Sequence, residues 1–83
     1  MKSVHSDEYA AFLAIITTAR NELGLSQREL AQLLRKPQSY VSKYERGERR
    51  LDIVEFLDLC AVLKLDPCVV LRGLARKHGK KNQ

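Results

Sequence analysis

The chain has 83 residues, a formal net charge of +5 and 30% charged residues. A domain of this length buries only about 60–65% of the surface of its unfolded chain, so one small core is expected. The N-terminal segment lacks the apolar core of a signal peptide, and no stretch approaches the roughly 20 apolar residues of a transmembrane helix. We therefore expect a single-domain cytoplasmic protein with no membrane partner.

Capping signals predict the first two helices. Ser6 precedes two acids and an apolar residue pattern of helical spacing, which Gly24 ends as a typical C-terminal cap. Ser26 and Glu29 then form the capping-box pattern that opens a second helix over residues 27–34.

The same logic places three further helices. A third helix is expected over about residues 38–46, ended by Gly47. Asp52 with Glu55 repeats the capping pattern, with an acid at the cap, and starts a fourth helix. The apolar stripe of the fourth helix is predicted to comprise Ile53, Phe56, Leu57, Cys60, Ala61 and Leu63. Asp66 and Pro67 open a fifth helix that runs to about Lys77. The prediction is an all-α domain, ordered over about 7–77, with a basic tail at 78–83.

The second and third helices are short, and only a tight turn separates them. Leu30, Ala31 and Leu34 lie on one side of the second helix, and Val41 and Tyr44 lie on one side of the third. These two apolar faces are expected to pack together, with small Ala31 allowing a close helix crossing. Polar or cationic side chains remain outward on the third helix: Gln38, Ser39, Ser42, Lys43 and Arg46.

Residues 26–47 resemble the helix-turn-helix of the Cro/C1-type repressor family, also called the XRE family. The matching positions are Gln27, Ala31, Val41, Ser42 and Glu45, followed by an arginine-rich stretch, and the similarity extends over roughly residues 7–71. The resemblance implies a five-helix, lambda-repressor-like fold that binds double-stranded DNA through helices 2 and 3.

The turn between these helices departs from the family pattern. The family usually has Gly there, whereas this chain has Arg35 followed by Lys36 and Pro37. Glycine adopts positive φ easily, and arginine in that conformation is strained by about 1 kcal/mol. We expect the turn to persist with altered geometry.

Charge is distributed unevenly along the chain. Residues 27–50 contain seven Lys or Arg against three Glu, and residues 72–83 contain five cations and no acid. Residues 51–71 have the opposite sign, with four acids against one lysine. A positive segment fits a polyanion because neutralised phosphates release counterions, although a solvated surface alone can also produce such a run.

The candidate DNA contacts divide into two groups. The N-terminal turn of a recognition helix reaches base edges, so Gln38, Ser39 and Lys43 are predicted to contact bases. Residues expected to contact the DNA backbone are Gln27, Arg28, Tyr40, Ser42, Arg46, Arg49 and Arg50. For Tyr40 an equal alternative is packing against the turn. The alternative for the others is a solvated polar surface.

Two further predictions concern packing. The resemblance pairs Glu45 with Arg20 as an internal ion pair that joins helices 1 and 3. A homodimer is expected because a second copy of the domain reads a symmetric half-site. The fifth helix is the candidate contact, since it has more apolar residues than one buried face needs. The proposed interface comprises Cys68, Val70, Leu71 and Leu74. The alternative is that all of them pack on helices 1 and 4.

No cofactor, metal or catalytic site is expected. The two histidines, His5 and His78, lie near opposite ends of the chain, and no catalytic set can be assembled from the sequence. Cys60 and Cys68 are expected to be buried, reduced thiols. The main alternative function is an antitoxin that binds a protein toxin and regulates its own promoter. A controller of restriction-modification genes fits the length of the chain equally well.

Overall fold

Five α-helices make up the part of the chain that the structure describes. The computed structural model describes residues 6–81, with the side chains described as far as residue 78; His5 and the last two residues lie outside this range. The helices are α1 (Asp7–Glu22), α2 (Gln27–Leu34), α3 (Gln38–Glu45), α4 (Ile53–Leu63) and α5 (Pro67–Lys81). No strand occurs within residues 6–81. The predicted all-α fold is therefore confirmed.

Side-chain caps begin α1, α2 and α4 where the sequence predicted them. The Ser6 hydroxyl accepts a hydrogen bond from the Tyr9 amide at 3.0 Å. Ser26 with Glu29 forms a reciprocal capping box at the start of α2, and Asp52 forms the same arrangement with residue 55 at the start of α4. Each box satisfies backbone amides that have no partner inside the helix.

Four helices end in one and the same way, with a residue in the left-handed conformation. After α1 and α3 this residue is Gly24 (φ 73°) or Gly47 (φ 76°), and after α2 and α4 it is Arg35 (φ 59°) or Lys64 (φ 60°). At Arg35 the next amide donates to the Ala31 carbonyl at 2.9 Å, which is the bond of a Schellman motif. The turn therefore needs no altered geometry, because Arg35 itself adopts the left-handed conformation that glycine usually supplies at this position.

The core lies where all five helices meet. The predicted contact between α2 and α3 is present, with Leu30 and Ala31 buried opposite Val41 and Tyr44. The buried residues are Leu13, Ile16, Ala19, Leu30, Ala31, Tyr40, Val41, Tyr44, Phe56, Leu59, Cys60, Leu63 and Val70. The recognition helix is thus attached to the body of the domain along one whole side.

The predicted face of α4 is partly wrong. Leu59, which the predicted stripe leaves out, is fully buried. Three predicted members are exposed: Ile53 (59%), Leu57 (47%) and Ala61. The helix is apolar on most of its circumference, so its periodicity does not indicate which side faces the core. Packing against α1, α2 and α5 selects the side that contains Phe56, Leu59 and Leu63.

Two predictions for α5 are also wrong. The helix continues to Lys81, four residues beyond the predicted end, and His78 in this extension contacts Glu8 of α1, with 2.9 Å between Nδ1 and Oε2. Cys68 is exposed rather than buried, whereas Cys60 is buried as expected, and burial raises the pKa of its thiol. Both thiols are free.

None of the described helices combines the length and apolar character needed to cross a membrane. Within residues 6–78, no three histidine, cysteine or acidic side chains cluster in a way that could hold a metal ion.

Candidate nucleic-acid interface

The outward side of α3 is formed by the three residues predicted to contact bases. Gln38, Ser39 and Lys43 are all exposed. The opposite side of the same helix is anchored in the core through Val41 and Tyr44. The first helical residues therefore project their polar groups away from the domain, as entry into a major groove requires.

An ion pair fixes α3 against α1. Arg20 donates from Nε to Glu45 Oε2 at 2.7 Å and from Nη2 to Oε1 at 3.0 Å. A third donor of the same guanidinium, Nη1, bonds the Leu25 carbonyl at 2.8 Å. The two side chains are only 11% and 8% exposed, and the bonds to Glu45 raise the pKa of Arg20. A bidentate pair of this kind holds α3 against α1 and also fixes its orientation.

Gln27 belongs to the same network. Its side-chain amide donates from Nε2 to Glu45 Oε1 at 2.9 Å, and the residue is half-buried. The sequence assigned Gln27 to a DNA phosphate. In the structure this bond attaches Gln27 to the ion pair that holds α3, and its contact with a phosphate stays a prediction.

Tyr40 lies in the core and under two cations. Its ring is only 9% exposed, it contacts the Tyr44 ring edge-on, and burial raises the pKa of its hydroxyl. The guanidinium of Arg49 lies 4.8 Å from the ring centroid and the Lys36 ammonium lies 5.4 Å from it. Of the two predicted roles for Tyr40, this position favours packing against the turn.

Three arginines follow the recognition helix and have different surroundings. Arg46 forms an exposed ion pair with Glu48. Arg49 donates from Nη2 to Glu55 Oε2 at 2.7 Å. The Arg50 guanidinium stacks 4.4 Å from the centroid of the Tyr9 ring.

The remaining predicted backbone contacts, Arg28 and Ser42, lie on α2 and α3. Arg28 is exposed near the start of α2. Ser42 is half-buried on α3 and donates its hydroxyl to the Ser39 carbonyl at 3.4 Å. The Tyr9 hydroxyl accepts the Leu51 amide at 3.0 Å, which fastens the segment after α3 to α1.

Comparison with known proteins identifies the family. A helix-turn-helix family model matches residues 16–70. The structure resembles an XRE-family-like protein from Pseudomonas syringae pv. tomato str. DC3000, with 43% sequence identity, a TM-score of 0.83, and coverage of 92% of this chain and 93% of that chain. The chain belongs to the Cro/C1-type helix-turn-helix, or XRE, family.

Two other solved structures resemble this XRE-family chain. A mutant of the restriction-modification controller protein C.Esp1396I has 24% identity and a TM-score of 0.75, over 92% of this chain and 96% of that one. The clp gene regulator ClgR from C. glutamicum has 26% identity and a TM-score of 0.72, over 88% of this chain and 95% of that one. Comparison with curated proteins finds no match. XRE-family membership makes this chain a DNA-binding transcription regulator.

The predicted dimer interface of this XRE-family domain needs correction. Val70 is 7% exposed and belongs to the core, and Leu74 packs against that core. These two residues lie four positions apart on the inner side of α5. The prediction that they face outward is therefore wrong. Cys68 and Leu71 are exposed as the interface requires, together with Val69.

Sequence reasoning missed the acids that accompany the arginines. Glu48 was counted only as part of the net charge, and Glu55 only as a helix cap. The structure gives each of them an arginine partner. Arg46 and Glu48 are two residues apart in the sequence, whereas the Arg49–Glu55 pair depends on how the segment between α3 and α4 folds.

Proposed function

We propose that this XRE-family chain is a repressor that binds a palindromic operator as a homodimer. The observation that carries the proposal is the orientation of α3, whose polar N-terminal side is exposed while its apolar side is buried. A helix with this orientation can enter the major groove without any rearrangement of the core.

Base recognition is assigned to the exposed side of α3. The Gln38 amide can donate and accept hydrogen bonds together, which matches the N6 and N7 atoms of adenine. Ser39 tolerates several bases, and Lys43 can donate to O6 or N7 of guanine. Their exposure supports this assignment because none of them is needed to hold the core together.

Backbone contacts are assigned to the surfaces on either side of α3. Exposed Arg28 and the N-terminal amides of α2 form one anion-binding edge, supported by the positive end of the helix. Arg46 and Arg50 form the other edge, after α3. The expected affinity falls steeply with salt, with a log–log slope of about −5 for roughly six neutralised phosphates.

Dimer formation is supported by apolar side chains that the domain leaves at its surface. Val69 and Leu71 on α5 are 56% and 44% exposed, and Ile53 and Leu57 are exposed on the neighbouring α4. A single short recognition helix reads few base pairs, and a symmetric pair doubles the site. We therefore assign the dimer contact to this outer surface of α4 and α5.

Selection from a random duplex library tests the proposed function. The expected product is an inverted repeat whose half-sites are separated by about one helical turn. The Gln38→Ala variant should lose preference at one base pair per half-site, equivalent to about 1–3 kcal/mol. Gln32→Ala is the matched control, because Gln32 is an exposed glutamine on α2. Recovery of no enriched sequence by the unmodified protein would contradict sequence-specific binding.

The repressor assignment needs a separate measurement. A reporter placed behind the selected operator should lose expression when the protein is present and regain it with Gln38→Ala. A rise in expression with the unmodified protein would identify an activator instead.

A further inference from the structure

Arg46 and Arg49 lie three residues apart after α3, but the protein holds them very differently. Arg46 contacts one acid, Glu48, through Nε at 3.0 Å and Nη2 at 2.9 Å. Both partners are open to solvent, with side chains 55% and 54% exposed. An exposed pair of this kind is weak because water solvates both charges well. A phosphate can therefore replace the carboxylate at little cost.

Arg49 is held from several directions at once. Nη1 and Nη2 contact the two carboxylate oxygens of Glu55 at 3.0 and 2.7 Å, and Nη1 also donates to the Arg50 carbonyl at 3.0 Å. Its guanidinium stacks on Tyr40. Glu55 is only 17% exposed and accepts the Asp52 amide at 2.9 Å as part of the α4 cap. Moving Arg49 to a phosphate would break the contacts to an acid that α4 needs.

We propose that Arg46 and Arg49 have different roles in DNA binding, an inference that rests on the proposed function. Arg46 exchanges Glu48 for a DNA phosphate, and Glu48 acts as an internal competitor that weakens binding to every duplex. Arg49 contacts no phosphate. It is a positioning residue that joins Tyr40, at the start of the recognition helix, to the N-terminus of α4.

The position of Glu48 supports its role as a competitor. Its backbone amide donates to the Lys43 carbonyl at 2.8 Å, which holds the backbone of Glu48 beside the last turn of the recognition helix, and its carboxylate contacts Arg46. Both Arg46 and Lys43 lower the pKa of Glu48, with Arg46 the larger cause, so the group is ionised at neutral pH. An anion so close to two cations that face DNA opposes binding irrespective of base sequence.

The salt dependence of DNA binding distinguishes the two arginines. Arg46→Gln and Arg49→Gln remove the same charge from the same segment of the full-length protein. Arg46→Gln should reduce the magnitude of the log–log salt slope by about 0.9, the value for one lost phosphate contact. Arg49→Gln should leave the slope unchanged while it lowers affinity. An equal reduction of the slope in both variants would overturn the proposal.

Glu48→Gln tests the competitor. It should raise affinity for operator and for random duplex alike, by about threefold at low salt, as expected for removing one charge about 7 Å from a phosphate. The gain should shrink in the Arg46→Gln background. Glu22→Gln, at the end of α1, is the matched control and should have no effect. Unchanged affinity in Glu48→Gln would refute the competitor role.

Arg49→Lys decides the matter if Arg49→Gln fails to fold. Lysine keeps the charge but cannot reproduce the forked contact with Glu55. If Arg49 positions the recognition helix, this variant should bind operator less tightly and have a lower Tm. Unchanged binding and Tm would indicate that only the charge matters, which would refute the positioning role. If the unmodified protein binds no DNA, the proposed function is wrong. If it binds DNA but the Arg46, Arg49 and Glu48 variants do not differ as described, only the roles proposed for these residues are wrong.

Discussion

Removal of Glu45 should destabilise the domain more than any exposed charge change. Glu45→Ala leaves the Arg20 guanidinium nearly buried, with the Leu25 carbonyl still in contact, and deprives the Gln27 amide of its acceptor. Breaking a buried pair from one side typically costs about 3–5 kcal/mol because the other charge stays desolvated. The two side chains retain 11% and 8% exposure, so we expect the lower end, about 3 kcal/mol.

Urea and thermal denaturation measure this loss directly. In a domain of this size about 3 kcal/mol lowers Tm by roughly 12–24 °C. A double-mutant cycle with Arg20→Ala separates the pair from other effects, because the double variant no longer contains an unpaired buried charge. Its destabilisation should therefore be smaller than the sum of the two single losses. Glu48→Ala, the same substitution in an exposed pair, is the control and should leave Tm nearly unchanged.

Two results would refute this reasoning. The first is a loss below about 1 kcal/mol for Glu45→Ala, which is the range of exposed ion pairs. The second is strict additivity in the cycle, which would mean that Arg20 and Glu45 do not stabilise one another.

Three other predictions follow from the packing and the electrostatics. Leu71→Glu should convert a dimer to monomers in sedimentation while Tm stays nearly constant, whereas Val70→Glu should unfold the domain because Val70 is buried; the opposite pattern would reject the α5 interface. The pKa of Glu55 is lowered by Arg49 and by the Asp52 amide, so its stabilisation is present above the unfolded pKa of about 4.3 and is lost as pH falls through the lower folded value. Urea titrations from pH 7 to 3 should show this loss, and Glu55→Gln should reduce it. Arg35→Gly should stabilise the domain by up to about 1 kcal/mol, since Gly relieves the left-handed strain at φ 59°; a lower Tm would contradict this.

Local signals were enough to place the helix starts. The capping boxes depend on residues only three positions apart in the sequence. Both predicted boxes form, Ser26 with Glu29 and Asp52 with Glu55. The exposed side of α3 was equally accessible, because a helix of eight residues with Val41 and Tyr44 on one side leaves little choice for the other.

Inner and outer sides were harder to predict for the two apolar helices. On α4 nearly every side is apolar, so periodicity cannot say that Leu59 is buried while Ile53 is exposed. On α5 the same ambiguity assigned Val70 to a dimer surface, although it belongs to the core. The direction from which neighbouring helices approach decides such cases.

The sequence by itself determined where the helices start, where they turn, and which polar groups the recognition helix presents. These features depend on hydrogen bonds and helical spacing within a few residues. Only the tertiary structure decided which acids accompany Arg46 and Arg49 and which apolar side chains stay at the surface. The Arg49–Glu55 contact and the burial of Tyr40 arise where separate segments meet. Contacts of this kind join segments that are distant in the sequence, so a pattern of neighbouring residues does not predict them.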